Sequence, residues 1–447
     1  MHTHSSASPA IEQQLREMTL AEKLGQMTQV SCDSIDPAGV ARYRIGSVLS
    51  GGNDNPSPNT PQRWRDMVGA LSDAASSTPM GIPLIYGIDA VHGHSNVRGA
   101  TVFPHNIGLG AIGDPGVVEA IGRATAREMR ATGIHWTFAP TIAVAQDIRW
   151  GRTYESYGRD PSLVGSLGAA LVRGLASSGE GSERVLACAK HFVGDGATQW
   201  DTVDRKPWMT WWDGWGDSWR IDQGDARISE RELRSIHLAP YIDAIAAGAM
   251  SVMASYSSWN GDKLHGHREL LTDVLKGELG FRGFVVSDWM GVDQLGADYR
   301  ESVVCAINAG VDMVMVPLDY HRFLEVMRSA VADGDIPMMR IDDAVRRILR
   351  AKEWVGATGT EQPGLDTIGH ADHRRLAARA ARRSAVLLKN ERGLPLTGPG
   401  PIAVAGTAAN DIGLQCGGWT VGWQGAEGPT TPGTTMLDAL RQTYLPG

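Results

Sequence analysis

GFVVSDWMG, Gly283–Gly291, sets four small or apolar residues ahead of a serine, an acid and a tryptophan. A short apolar run bounded by glycine reads as a strand buried on both faces, with Ser287 and Asp288 at its C-terminal end. Similar runs recur at Ile45–Ser50, Ile82–Ile88, Ile134–Ala139, Val185–Phe192, Met250–Tyr256 and Val311–Val316, separated mostly by helix-like stretches. In one such stretch Ile341, Ala344, Val345, Ile348 and Leu349 form a single apolar stripe, and Leu270, Leu271, Val274 and Leu275 do the same just before Gly283. Strands apolar on both faces that alternate with amphipathic helices predict an α/β fold, a closed (β/α)8 TIM-type barrel over residues 1–357, in preference to a doubly wound open sheet.

A second regularity lies at the C-terminal ends of these strands. Asp89 succeeds the second run, Asp147, Arg149 and Arg152 the third, Lys190 and His191 end the fourth, Tyr256 and Trp259 close the fifth, and Asp288 and Trp289 the sixth. In a parallel barrel those ends share one face, so distant residues converge on one pocket. Each taken singly also reads as a cap or structural ion pair. For Lys190 that is an ion pair, and for His191 a satisfied core histidine.

Composition narrows the partners. The 447 residues carry a formal charge of −8 with no run of Lys or Arg, which leaves no electrostatic footprint for nucleic acid or an anionic membrane. A neutral substrate fits better. Fourteen Trp against six Phe suit surfaces that grip sugars or other polar rings, although core packing uses the same residues. Cys32, Cys188, Cys305 and Cys416 lack metal-ligand spacing, and Cys188 and Cys305 read as inert buried thiols. The N-terminus has neither a basic region nor an apolar signal core, and no 18 apolar residues run together, so the default location is cytoplasmic.

Residues 358–371, rich in Gly, Thr and Pro, read as a linker. Residues 372–447 then read as the N-terminal part of an incomplete α/β sandwich: a basic helix in HADHRRLAARAARRSAVLLKN, a turn at GLPL, and a short buried strand at PIAVAG.

Seven blocks in order, HGHSNVRGATVFPHNIGLGA, DIRWGRTYESYGRDP, AKHFVGDG, SYSSWNG, GFVVSDWMG, SAVLLKNERGLPL and GGWTVGWQG, resemble glycoside hydrolase family 3, in its exo-β-glucosidase branch. The resemblance implies a barrel linked to an α/β sandwich with the sugar held between them, and retaining hydrolysis of terminal non-reducing β-D-glucose without a cofactor. It assigns Asp288 as the nucleophile that forms a glucosyl intermediate. Asp89, Arg152, Lys190, His191 and Tyr256 become the hydrogen-bonding partners of the terminal glucose, and Trp289 and Trp423 the clamp on the next sugar, with core packing left for Trp419. Retention needs a second carboxyl roughly 5 to 5.5 Å from the nucleophile. The family's acid/base glutamate lies beyond GGWT–WQG, and no residue here matches it; Glu427 aligns with a loop position. A nucleophilic carboxylate must also stay ionised, which asks for polar or cationic company from Arg152, Lys190 and His191.

Alternatives stay open at this point. A glucoside-binding fragment without turnover, a β-xylosidase and a β-N-acetylglucosaminidase are the other readings, but the last carries a loop histidine that KHFVGDG lacks. His92 and His94 with nearby His105 raise the question of a metal, which the missing third ligand answers in the negative. Residues 199–225, with six Trp, read as a rim that lengthens the glucan-binding surface, or as an oligomer contact.

Overall fold

The computed structural model describes residues 8–176, 184–208, 220–357, 362–391, 393–396 and 400–444. Eight parallel strands form one sheet: β1 (Thr28–Ser31), β2 (Ser47–Ser50), β3 (Ile85–Ile88), β4 (Trp136–Thr137), β5 (Leu186–Phe192), β7 (Ser251–Ala254), β10 (Phe284–Val286) and β11 (Val314–Met315). Their order in space is their order in the chain, with β11 back beside β1. A parallel bridge between Val286 and Met313 joins β10 to the approach of β11 and closes the ring. The expected barrel is therefore present. A separate three-stranded sheet, β6 (Asp225–Ala226), β8 (Ser258–Trp259) and β9 (Asp262–Lys263), sits in the loops after β5 and β7 and holds Trp259, whose Nε1 donates to the Ile228 carbonyl at 3.0 Å.

The apolar runs predict seven strands, and β1 is the eighth. Its sequence, TQVS, is largely polar yet fully buried. Inside the barrel Gln29 Nε2 donates to Ser47 Oγ at 2.8 Å, and Ser47 Oγ donates to the Ile85 carbonyl at 2.9 Å. Polar side chains that hydrogen-bond one another can be buried without the apolar signature of a strand.

The short closing strands are held from below. Lys276 Nζ donates to Asp312 Oδ1 at 2.7 Å, Arg340 binds the same carboxylate, and Val285 N–H donates to its other oxygen at 2.8 Å. The three contacts fix the helical segments Glu269–Glu278 and Met338–Val355 against β10 and β11. On the outer wall, helices Pro115–Ala131 and Pro161–Ala176 approach so closely that a Cβ on Gly122 would lie 2.9 Å from the Leu171 carbonyl oxygen. Only glycine permits that spacing.

Beyond the barrel, helix Ala371–Ser384 docks on helices Asn106–Ile112 and Pro115–Ala131. Buried Glu128 is the fastening: it accepts from Thr101 N–H at 2.8 Å and Thr101 Oγ1 at 2.7 Å, and His373 Nδ1 lies 2.7 Å away. The expected strand at PIAVAG does not form. Residues 401–406 are exposed with no ladder partner among the described residues, and Val386, Leu387 and Leu388 are exposed as well. A strand gains its hydrogen bonds only from a neighbour. Cys305 is also corrected: it lies exposed on helix Tyr299–Ala309, because the apolar stripe of that helix faces the other way.

Candidate active site

Most of the polar residues singled out at strand ends lie within their strand or within two residues of it. Asp89 immediately follows β3, Lys190 and His191 lie within β5, Tyr256 stands two residues past β7, and Asp288 two past β10. Arg152 arrives on the loop after β4, just ahead of a 3-10 turn at Thr153–Glu155. Asp147 and Arg149, by contrast, pair with each other at 2.5 Å on the exposed part of that loop.

Asp288 is fixed before any ligand arrives. Ser287 Oγ accepts from Met315 N–H at 2.8 Å, so the turn after β10 is tied to β11. The Asp288 N–H donates to His265 Nε2 at 3.0 Å, and Asp288 Oδ1 accepts from Trp289 N–H at 2.7 Å. His265 must then carry its proton on Nδ1, and burial holds its pKa near 3, so it stays neutral. Met290 completes the turn in the left-handed region at φ 51°.

The electrostatics set the state of that carboxylate. Burial raises Asp288 to about 6, while Arg152, Lys190, the Trp289 N–H and the Tyr256 hydroxyl pull the other way. At neutral pH it is mostly ionised. His191 contributes differently from what the sequence suggests. Burial, then Arg152, Lys190 and His265, push it well below the ordinary histidine range, so it offers no positive charge. Its Nε2 accepts from Arg152 Nη2 at 3.1 Å and lies 3.7 Å from Asp288 Oδ2; its Nδ1–H donates to Asp195 Oδ2 at 2.8 Å. Charge compensation falls to Arg152 and Lys190.

Both cations are oriented by acids. Lys190 Nζ donates to Asp89 Oδ1 at 2.8 Å, and both side chains are buried. Arg152 makes a two-pronged pair with Glu155, 2.7 Å to Oε1 and 2.9 Å to Oε2. Burial alone would raise Glu155, but the Arg152 charge and hydrogen bonds, with Lys190 and Trp419, override it and hold the carboxyl at about 2. Sequence reasoning misses Glu155 and Asp195, although both sit inside quoted motifs. The i, i+3 spacing of Glu155 from Arg152 within a turn is the signal that could have found it.

The aromatic wall has two origins. Trp289 packs beside Gly51, where an added Cβ would lie 2.7 Å from Trp289 Cζ3, and the backbone of Trp423 abuts Gly52 in the same way. The two tryptophans thus stand against successive residues of the loop after β2. Trp419, left to core packing by the sequence, sits with its ring centroid 5.3 Å from Lys190 Nζ and 6.4 Å from the Trp423 ring. His92 and His105 do not share a ligand position with His94. They stack on each other at 3.8 Å and contact the Trp419 and Cys416 carbonyls, whereas His94 Nε2 meets Thr132 Oγ1 at 2.9 Å. The Trp-rich segment is described at its ends only, residues 209–219 lying outside the described residues. Trp208 Nε1 donates to the Asp293 carbonyl at 2.9 Å beside the turn after β10, and Asp222 accepts from Trp150 Nε1 at 2.7 Å on the return.

Residues 19–210 and 213–351 match the profile described as the Glycosyl hydrolase family 3 N terminal domain. Among curated proteins, the chain is 33% identical over 480 residues to the lysosomal beta glucosidase of Dictyostelium discoideum, covering 98% of this chain and 56% of that one. It is 30% identical over 454 residues to the periplasmic beta-glucosidase of Salmonella typhimurium, covering 97% and 54%. Among solved structures, the exo-1,3/1,4-beta-glucanase from a Pseudoalteromonas species superposes with a TM-score of 0.89 at 41% identity, covering 99% of this chain and 56% of that chain. A beta-glucosidase from Listeria innocua in complex with glucose gives 0.81 at 28% identity, covering 97% and 58%. The chain therefore spans little more than half the length of these relatives.

Proposed function

Given that the chain belongs to glycosyl hydrolase family 3, we propose that it supplies the nucleophile half of a retaining exo-β-glucosidase acting on terminal non-reducing β-D-glucosyl residues. The observation that carries this is the state of Asp288: a buried carboxylate at the barrel mouth, ionised near neutrality by Arg152 and Lys190, and aimed by the Trp289 N–H. A nucleophile needs that combination of ionisation and fixed direction.

The chemistry is a displacement at carbon. An Asp288 oxygen attacks the anomeric carbon, the C–O bond to the leaving group breaks, and the sugar is held as a glucosyl ester until water releases it. Asp89, Lys190, Arg152, His191 and Tyr256, carried like Asp288 at or beyond the C-terminal ends of the barrel strands, are the groups proposed for the hydroxyls of one glucose. A carboxylate can bridge two adjacent hydroxyls, the role given to Asp89. Trp289 and Trp423 form walls for the following sugar, where ring stacking tolerates more than one linkage. No helix of the described residues is long and apolar enough to cross a membrane.

The test is a dinitrophenyl β-glucoside, whose leaving group departs without a proton, so that the outcome depends on Asp288 and not on a proton donor. A burst of phenol with one glucosyl adduct per chain by intact mass spectrometry is expected. Absence of the adduct, or its persistence in Asp288→Asn, would falsify this reading.

A further inference from the structure

The loop after β2 carries a buried acid that the chemistry above does not use. Asp54 accepts from Ser31 Oγ at 3.0 Å through Oδ2 and from Gly52 N–H at 3.1 Å through Oδ1. Its carbonyl is held by Ser50 Oγ and Cys32 Sγ, each at 3.3 Å. The acid is thus clasped to β1, to the end of β2 and to its own loop, and its carboxylate is occupied by the protein itself.

That loop is the piece between the two tryptophans. Gly51 lies against the Trp289 ring, with no room for a Cβ, and Gly52, at φ +102°, lies against the Trp423 backbone. Asn53, with its amide turned to satisfy both neighbours, accepts from Trp423 Nε1 at 2.9 Å. Asn55 Nδ2 donates to the Val421 carbonyl at 3.0 Å. Trp289 comes from the barrel and Trp423 from the segment beyond the linker, so nothing in the covalent chain fixes their spacing. The Gly51–Asn55 loop is the piece that touches both.

We propose that Asp54 is a positioning residue for the second-sugar subsite: it locks the Gly51–Asn55 loop, and the loop sets the separation of Trp289 and Trp423. This rests on the glucoside reading above. None of the residues proposed for the terminal glucose, Asp89, Arg152, Lys190, His191 and Tyr256, belongs to the loop, so the effect of Asp54 should fall on disaccharides and longer chains. A gap between two stacking surfaces is sensitive to small shifts, because dispersion contact falls steeply with separation.

Calorimetric titration of the whole chain with glucose and with laminaribiose separates the two readings. In Asp54→Asn, glucose affinity stays within about twofold while the advantage of laminaribiose over glucose drops by about fivefold or more, as misplacement of a positioning group predicts. Ser31→Ala, which removes a donor to the same carboxylate, shows the same split to a smaller degree and decides the matter if Asp54→Asn does not fold. An unchanged laminaribiose advantage in the folded variants, or an equal loss for both sugars, overturns the role of Asp54. No binding of glucose by the unaltered chain overturns the glucoside reading itself, and the inference with it.

Discussion

Lys190 Nζ stands 2.8 Å from Asp89 Oδ1, and the two side chains are 2% and 9% exposed. A pair so removed from water is costly to break, because whichever partner remains is a buried charge without compensation. Here the pair also spans β3 and β5, with the ring of Trp419 5.3 Å from the ammonium. Removing the cation affects fold and pocket together.

Lys190→Met is expected to destabilise the protein by about 3–5 kcal/mol, read as a lower urea midpoint at pH 7. Adding Asp89→Asn should restore part of that loss, since the stranded carboxylate disappears. Strict additivity of the two substitutions in a double-mutant cycle would mean that the pair is not coupled, contrary to its geometry.

Asp288→Asn should trade activity for stability. Burial raises the native Asp288 carboxyl to about 6 from an ordinary 3.8, so the folded state binds its proton more tightly than the unfolded chain does. Stability from this group is therefore present at low pH and lost as pH rises from about 4 to about 6. At pH 7 the uncharged asparagine should be more stable than wild type by up to about 3 kcal/mol, and the gap should close near pH 4. The rate of adduct formation in the wild type should rise through pH 6 and then level off. Urea melts at the two pH values, with a pH–rate profile, check both halves.

Glu155→Gln runs with the opposite sign. The native carboxyl is held at about 2 against an ordinary 4.5, so its contribution is present above pH 4.5 and lost as pH falls toward 2. About 3 kcal/mol of destabilisation is expected at pH 7, shrinking at pH 3. Arg152 loses both charged hydrogen bonds that aim it, so adduct formation should slow by roughly a hundredfold even where the variant is fully folded.

Glu155 marks the boundary of what the sequence makes legible. The barrel can be read because β10 and its counterparts are apolar on both faces, and the site because its groups follow those strands. Asp288, Asp89, Lys190, His191, Tyr256 and Arg152 are all brought to one end. β1 is hidden because it buries polar side chains, with Gln29 Nε2 bonded to Ser47 Oγ inside the barrel, a pairing with no linear signature. Orienting residues such as Glu155, Asp195 and His265 escape sequence reasoning for a related reason: they act on a functional group and not on the ligand, and nothing in residue type distinguishes them. The neutrality of His191 likewise depends on its burial and then on Arg152, which is 39 residues away in sequence and 3.1 Å away in space. The strand expected at PIAVAG has the right composition but finds no partner among the described residues.

The segment carrying Trp419 and Trp423 is clasped to the barrel through Ser95 and His92, and its local stability should follow those contacts. Trp419 sits in the left-handed region at φ 55°, a strained choice for a tryptophan. Its carbonyl accepts from Ser95 Oγ at 2.6 Å and lies 3.1 Å from His92 Nε2, while Val421 N–H donates to the Ser95 carbonyl at 2.8 Å. His92 is neutral at every physiological pH, burial and the stacked His105 having pushed it to about 3, so this clasp should not respond to pH between about 5 and 8. The double variant His92→Ala/Ser95→Ala removes both side chains at the carbonyl and leaves the backbone bond to Val421. Amide exchange in residues 416–423 should then accelerate by about ten- to a hundredfold, as expected for losing one or two hydrogen bonds from a locally opening unit. Exchange in β7, on the far side of the barrel, should not change. Equal acceleration in both regions would place His92 and Ser95 in the global fold instead of in the clasp.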